Sequence, residues 1–231
     1  MTIFRLKELA VRGLHGAPAN VRWNYDQLEL LVDGVIHGIG VGAGLVAATV
    51  LIVVACYFAS AADVAAVSVY AAGLITMLAL SATYNLFPVS RWKWILRRFD
   101  HSAIYVLIAA TYTPFIAHMT MSVTSVALMA GVWGVAVLGI VLKLFFPGRF
   151  DRLAIVLYLA LGWSGVMVYD VIADALPKFT LCLLAIGGVL YSAGVVFHVW
   201  ERLRFQNAIW HGFVLLAASF HYAAVLDLII V

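Results

Sequence analysis

The sequence predicts an all-α integral membrane protein, a bundle of seven transmembrane helices with its N-terminus in the cytoplasm and its C-terminus outside. Of its 231 residues, 65% are hydrophobic and only 11% are charged, whereas soluble domains carry about 25% charged residues. This apolar surface exceeds what one soluble core can bury, so lipid must cover part of it. The apolar residues also fall into seven long runs, and the basic residues are distributed unevenly between the connections.

Each apolar run approaches the ~20 residues that a helix needs to cross a hydrocarbon layer about 30 Å thick. The prolines agree with the boundaries, because Pro88, Pro147 and Pro177 fall in connections. Pro114 lies inside the third span, where neighbouring helices can satisfy the carbonyl that it frees. We predict spans at residues 35–58, 64–86, 101–119, 123–143, 153–170, 179–199 and 208–228.

Residues 1–34 form a predicted cytoplasmic segment ahead of the transmembrane domain, residues 35–231. Leu6, Leu9 and Leu14 alternate with basic residues there, which fits an amphipathic helix on the inner leaflet and equally a disordered tail.

Lysine and arginine set the orientation, because cytoplasmic connections of membrane proteins are enriched in both. With the N-terminus inside, 13 of the 14 basic residues lie on the cytoplasmic side, and Lys178 alone lies outside. We therefore expect a multi-pass protein of the cytoplasmic (inner) cell membrane. Its expected partners are membrane lipids, with no nucleic acid and no soluble protein partner.

Polar residues of five spans fall at one depth, near the predicted cytoplasmic ends. Two pairs share a helix face because their members are four residues apart. Such groups are costly in lipid and normally face the bundle interior, so the layer is the predicted functional site. Its members are His37, Ser81, Asn85, Asp100, His198, Asn207 and His211.

Each member also has a structural explanation. Asp100 can cap the third span next to Arg97 and Arg98. Ser81 and Asn85 can form interhelical hydrogen bonds, and a lone histidine at a helix end can reach the interface. The convergence of several polar groups at one depth is what favours a site.

Specific motifs lie at these span ends: Asp33-x-x-x-His37-Gly-Ile-Gly40, Ser81-Ala-Thr-Tyr-Asn-Leu-Phe-Pro88, Phe99-Asp-His-Ser-Ala-Ile-Tyr105, Ala109-Ala-Thr-Tyr-Thr-Pro-Phe115 and Asn207-Ala-Ile-Trp-His211. They resemble the hemolysin III family, the bacterial branch of the progestin and adipoQ receptor (PAQR) superfamily, and the resemblance covers essentially the whole chain.

The resemblance implies a seven-helix fold and a zinc ion, held by histidines, that hydrolyses an amide bond of a lipid such as ceramide. It assigns Ser81, Asp100 and His211 as catalytic residues, with His211 as a zinc ligand. Asn85 and Asn207 stand where the family has its other two ligands. A catalytic zinc ordinarily has three protein ligands, and an amide oxygen is a poor one for zinc.

Two alternatives follow for the site. In the first, it is a metal-free hydrogen-bonded lock in which Asn85 and Asn207 pair across helices. In the second, His37, His101 or His198 replaces the missing ligands.

We interpret the chain as a multi-pass membrane protein with a lipid-linked role in membrane homeostasis, built around this polar site. The alternative is a metal-dependent hydrolase of a lipid amide or ester. A third function, as a pore-forming or cytolytic protein, requires a polar stripe along a span, and the sequence shows no run of charges of that kind.

Overall fold

A computed structural model describes residues 25–231, in which all regular structure is helical. Residues 5–14, on which the interfacial-helix and tail alternatives rest, lie outside the described residues. Within residues 25–231, eight α-helices and one short 3-10 helix, Ser164–Val168, follow in order. The α-helices are α1 Gln27–Phe58, α2 Ala61–Leu86, α3 Arg91–His118, α4 Val123–Phe145, α5 Asp151–Gly162, α6 Tyr169–Ala175, α7 Lys178–Val199 and α8 Gln206–Ile230.

Six segments within residues 25–231 are long and apolar enough to cross a membrane: α1, α2, α4, α7, α8 and the combined segment Asp151–Ala175. This confirms the predicted all-α, multi-pass class. The remaining candidate, α3, has 28 residues but begins with a strongly charged stretch, Arg91 to Asp100. The seventh span and the orientation of the termini therefore stay predictions.

The long helices pack mostly against their chain neighbours, and α8 returns to pack against α1, which closes the bundle. Helix α3 is central, because it contacts α2, α4, α5 and α8. Tyr70 of α2 and Tyr105 of α3 are among the most completely buried side chains. The polar residues of α3 are thus surrounded largely by protein, which explains how a less apolar helix is accommodated.

Serine and acidic side chains start several helices. Asp26 and Glu29 form a reciprocal capping box at the start of α1, and Ser60 and Asp63 form one at α2. The helix start at Gln27 precedes the predicted first span by eight residues. At α3 the cap is Ser90, so the alternative role of Asp100 as the cap of this helix is wrong, and Asp100 lies almost three turns inside it.

The predicted fifth span is interrupted after Gly162. The helix changes there to the 3-10 segment and resumes as α6. The hydroxyl of Tyr112, on α3, donates to the carbonyl oxygen of Gly162 at 2.8 Å and accepts from the N–H of Gly165 at 2.9 Å. Irregular backbone at this depth needs partners from neighbouring protein, and Tyr112 supplies two of them.

An ion-pair triple joins α3, α4 and α5 at the end of the bundle where the polar layer is predicted. Asp151 accepts from Arg97 at 2.8 Å and from Lys143 at 2.6 Å. Because Lys143 is almost fully buried, removing the carboxylate leaves a buried cation without its counter-ion.

Gly73 lets α2 approach α3 closely, because a Cβ added there meets the Cβ of Ala110. Neither methyl group can rotate away, so we expect Gly73→Ala to lower the free energy of unfolding by about 1–3 kcal/mol. Thermal unfolding of the detergent-solubilised protein measures the effect. The control is Gly131→Ala on α4, where the added methyl meets nothing within 4 Å. Equal melting temperatures for the two variants would contradict the close approach.

Candidate functional site

The start of α1 is attached to the loop that leads into α8. Glu29 accepts from the N–H of Phe205 at 2.8 Å, in addition to its capping bond with Asp26. Arg204 contacts Asp26 at 3.2 Å, and Phe205 has a positive φ of 61°. The N–H of Glu29, and secondly Arg204, lower the pKa of Asp26. These contacts bring the first turns of α1 and α8 together.

Asp33 and His37 are four residues apart on α1, so their side chains share the buried face of the helix. The ring atom Nδ1 of His37 lies 2.8 Å from the backbone oxygen of Asp33. A carbonyl oxygen only accepts hydrogen bonds, so Nδ1 carries the proton in the neutral ring. The lone pair is therefore on Nε2, which lies 3.2 Å from the hydroxyl of Ser81.

Ser81 and Asn85 supply the contribution of α2. The amide nitrogen of Asn85 donates to the backbone oxygen of Ser81 at 3.0 Å. It lies 3.5 Å from Nε2 of His37. Lys93 donates to the backbone oxygens of Asn85 and Phe87 at 2.9 and 2.8 Å, which satisfies the carbonyl groups at the end of α2.

The contribution of α8 is His211. Its Nδ1 lies 2.6 Å from Oδ1 of Asp33, and its ring meets that of His37 edge-on with centroids 4.4 Å apart. Asp33 thus binds both histidines, His37 through its backbone oxygen and His211 through its carboxylate. Asp100, from α3, interacts with Ser81 and His211.

The structure therefore brings together most of the predicted layer, with residues from four helices: His37, Ser81, Asn85, Asp100 and His211. Asn207 lies at its edge, where its side chain interacts with that of Tyr25. Asn85 and Asn207 have separate partners, and no hydrogen bond between them is found in residues 25–231.

His101 and His198, two of the three alternative ligands, have other surroundings. The ring of His101 faces Tyr84, with centroids 6.4 Å apart, and that of His198 packs on Trp210 at 4.9 Å. Of the three alternative ligands, only His37 joins His211. The residue that sequence reasoning missed is Asp33, which was noted only as part of a motif. Its spacing of four residues from His37 was the available indication.

Only one position of the zinc ligand set implied by the resemblance holds a histidine here, His211. Asn85 turns its N–H toward Ser81 and His37, so it presents a donor rather than a lone pair. That ligand set does not fit a zinc ion. Another set does, since one carboxylate and two imidazoles come from Asp33, His37 and His211, and their donor atoms lie within 4.8 Å of one another.

Next to this cluster lies a cleft between the starts of α1 and α8. Its cavity volume is ≈ 10 Å³, and its lining includes Asp33, Asn85, Lys93 and Asn207. A volume of this size is near the minimum that one water molecule needs. This cleft thus has space for a water or an ion and not for a lipid headgroup.

The chain is similar to several known proteins over most of its length. A family profile described as "Haemolysin-III related" matches residues 28–222. The Hemolysin-3 homolog of Bacillus subtilis (strain 168) is 36% identical over 187 residues, 81% of this chain and 88% of the relative. Hemolysin-3 of Bacillus cereus is 33% identical over 198 residues, 86% and 90% of the two chains. The human Monocyte to macrophage differentiation factor is 29% identical over 167 residues, 68% and 67% of the two chains.

The hydrogen bond between Asp33 and His211 gives a test of the cluster. Asp33→Ala leaves the partly buried imidazole N–H of His211 without its acceptor, so we expect a loss of about 1.5–3 kcal/mol in the free energy of unfolding. Denaturant unfolding in detergent measures it. The control is Asp174→Ala, which removes an exposed carboxylate on α6. A variant as stable as this control would contradict the bond.

Proposed function

The chain belongs to the hemolysin III family, within the PAQR superfamily, and from this premise we propose that it acts in membrane homeostasis by responding to lipid order at the inner leaflet. The observation that carries the proposal is the polar layer itself. Asp33, His37, Ser81 and His211 form a continuous hydrogen-bonded chain across α1, α2 and α8.

The chemistry of the layer supports a lock between helices. Polar contacts between membrane helices contribute modestly, about 0.6 kcal/mol on average and up to about 2 kcal/mol. The bilayer can open or close a lock of this strength, because the two energies are similar in size. A mismatch between helix length and bilayer thickness costs a fraction of a kcal/mol per Å. A few ångströms of thickness are then enough to shift the equilibrium between a locked and an opened arrangement.

We expect the opened state to become more populated when Asn85→Ala removes the amide nitrogen that lies 3.5 Å from Nε2 of His37 on α1. The chain has two cysteines, Cys56 on α1 and Cys182 on α7, and both are exposed. Spin labels on them report the distance between these helices in bilayers of short, medium and long acyl chains. The wild type should show two distance populations whose ratio follows bilayer thickness, and the variant should favour one population in every bilayer.

Thr83→Ala is the matched control, because Thr83 is exposed two residues away on α2 and bonds only within its own helix. It should behave as the wild type does. A wild-type distance distribution that is identical in all three bilayers would contradict a response to lipid order.

A second candidate function is metal-dependent hydrolysis of a lipid amide or ester. The observation that favours it is the hydroxyl of Ser81, which lies 3.2 Å from Nε2 of His37 and also interacts with Asp100. Asp33, His37 and His211 would hold the metal, which would supply a hydroxide near neutral pH. Asp100 and Ser81 are placed to exchange a proton with a bound substrate. In this candidate, opening of the lock admits the lipid.

Hydrolysis is tested by mass spectrometry of ceramide and of diacyl ester lipids incubated with the zinc-equilibrated protein in mixed micelles. Asp100→Asn and Ser81→Ala should each lower the rate by about 10²-fold or more, the scale of a lost proton-transfer group. Ser68→Ala, a serine of α2 that bonds only to Val64 of its own helix, should leave the rate unchanged. Equal rates for all the variants would assign the products to a contaminant and contradict this candidate.

A further inference from the structure

We infer that Asp33, His37 and His211 form a divalent transition-metal site that joins α1 to α8 and replaces the ligand set implied by the family resemblance. The inference deepens the proposed function, because it names an occupant of the polar layer. It rests on the proposed function only in assuming that the polar layer lies at the inner leaflet. Its test measures bound metal and does not depend on a response to lipid.

The donor atoms select the class of metal. Two imidazoles and one carboxylate are the donors of zinc sites that keep a fourth, open position. Magnesium and calcium prefer oxygen ligands throughout and are usually bound by six or more of them. The cluster therefore selects Zn²⁺ or a first-row ion with similar preferences.

The spacing of the donors is close to what such an ion needs. Ligands at about 2.0–2.2 Å from a tetrahedral zinc lie ~3.3 Å from one another. Oδ1 of Asp33 is 2.6 Å from Nδ1 of His211 and 3.6 Å from Nδ1 of His37. These two distances lie on either side of the required value. Insertion of the ion displaces the Nδ1 protons of both histidines, with the proton of His37 moving to Nε2 next to the hydroxyl of Ser81, and requires side-chain movements of about 1 Å.

The local charge also favours a cation. Asp33 and Asp100 both interact with Lys93, which lies across the layer on the first turn of α3. Arg97 also interacts with Asp100, so the carboxylate left without a fixed counter-ion is that of Asp33, which is buried and whose ion-pair partners within residues 25–231 are His37 and His211. A buried carboxylate is costly unless it is paired or coordinates a metal, so a divalent ion at Asp33 offsets its charge.

Asn85 and Asn207 explain why α1 supplies metal ligands here and α2 supplies none. The amide group of Asn85 is oriented by the backbone oxygen of Ser81, which can only accept, so the nitrogen of Asn85 faces His37. Asn85 thus orients His37 and does not ligate the metal, and Asn207 is engaged with Tyr25. The ligand that α2 provides in the family pattern is supplied here by α1.

The experiment measures metal content of the full chain, carrying a histidine-free tag and purified in detergent. The protein is freed of adventitious metal, equilibrated with Zn²⁺, separated by gel filtration and analysed by elemental mass spectrometry. We expect about one zinc ion per wild-type chain, and a thermal unfolding temperature that rises with added zinc. Asp33→Asn and His37→Ala should each lose the bound zinc and the rise in unfolding temperature.

Two variants serve as controls. His118→Ala removes an exposed histidine at the far end of α3, and Asn207→Ala removes an amide at a position that the resemblance assigns to the metal. Both should keep the zinc. Cobalt loading of the wild type gives a second measurement that does not depend on folding of any variant, because tetrahedral cobalt with nitrogen and oxygen ligands has characteristic visible absorption bands.

Absence of stoichiometric zinc and of the cobalt bands in the wild type would overturn the inference. So would full zinc content in Asp33→Asn and His37→Ala, or loss of zinc in Asn207→Ala alone. The outcomes separate this inference from the proposed function. A chain that binds zinc but ignores bilayer thickness contradicts only the function, and a chain that responds to thickness without zinc contradicts only the metal site.

Discussion

The hydrogen bonds of Asp33 are the interaction on which the rest of the polar layer depends. One residue of α1 holds His37 through its backbone oxygen and His211 through its carboxylate. The first of these bonds orients His37 toward Ser81, and the second joins the first helix of the bundle to the last. Closure of the bundle and alignment of the candidate site are thus two results of the same contacts, supported from outside by Glu29 and Phe205.

Much of the fold could be predicted from the sequence, because a helix that crosses the lipid needs a long run of apolar residues. Long apolar runs and the prolines between them locate most helix ends to within about three residues, although α1 and α3 start eight and ten residues before the predicted spans. The interruption after Gly162 could not be foreseen, since it depends on a hydroxyl from α3, Tyr112, that is distant in the chain. The start of α1 was placed too late because polar residues such as Glu29 continue the helix beyond the apolar run.

The sequence predicted at which end of the helices the candidate site lies, but it predicted only some of the residues that form the site. Spacing and charge put Ser81, Asn85, Asp100 and His211 in one layer, and the structure brings them together. Which histidine joins His211 depends on the rotation of each helix about its axis, and composition does not determine that rotation. Packing turns His37 inward and places His198 on Trp210. Asp33 was missed for a similar reason, because an acidic residue near a predicted helix start resembles one that faces water.

The bridge that Tyr112 makes across the interrupted helix has a consequence for how such sequences diverge. Its phenol hydroxyl substitutes for backbone bonds that the segment around Gly162 and Gly165 does not make with itself. We therefore expect Tyr112, Gly162 and Gly165 to change together in evolution. Replacement of Tyr112 by phenylalanine removes the partner of two backbone groups, so a regular helix at Gly162 and Gly165 would then be favoured. Conversely, once this segment is a regular helix, the hydroxyl has no backbone bond to make and selection no longer keeps the tyrosine. Covariation of these positions among relatives would record that exchange.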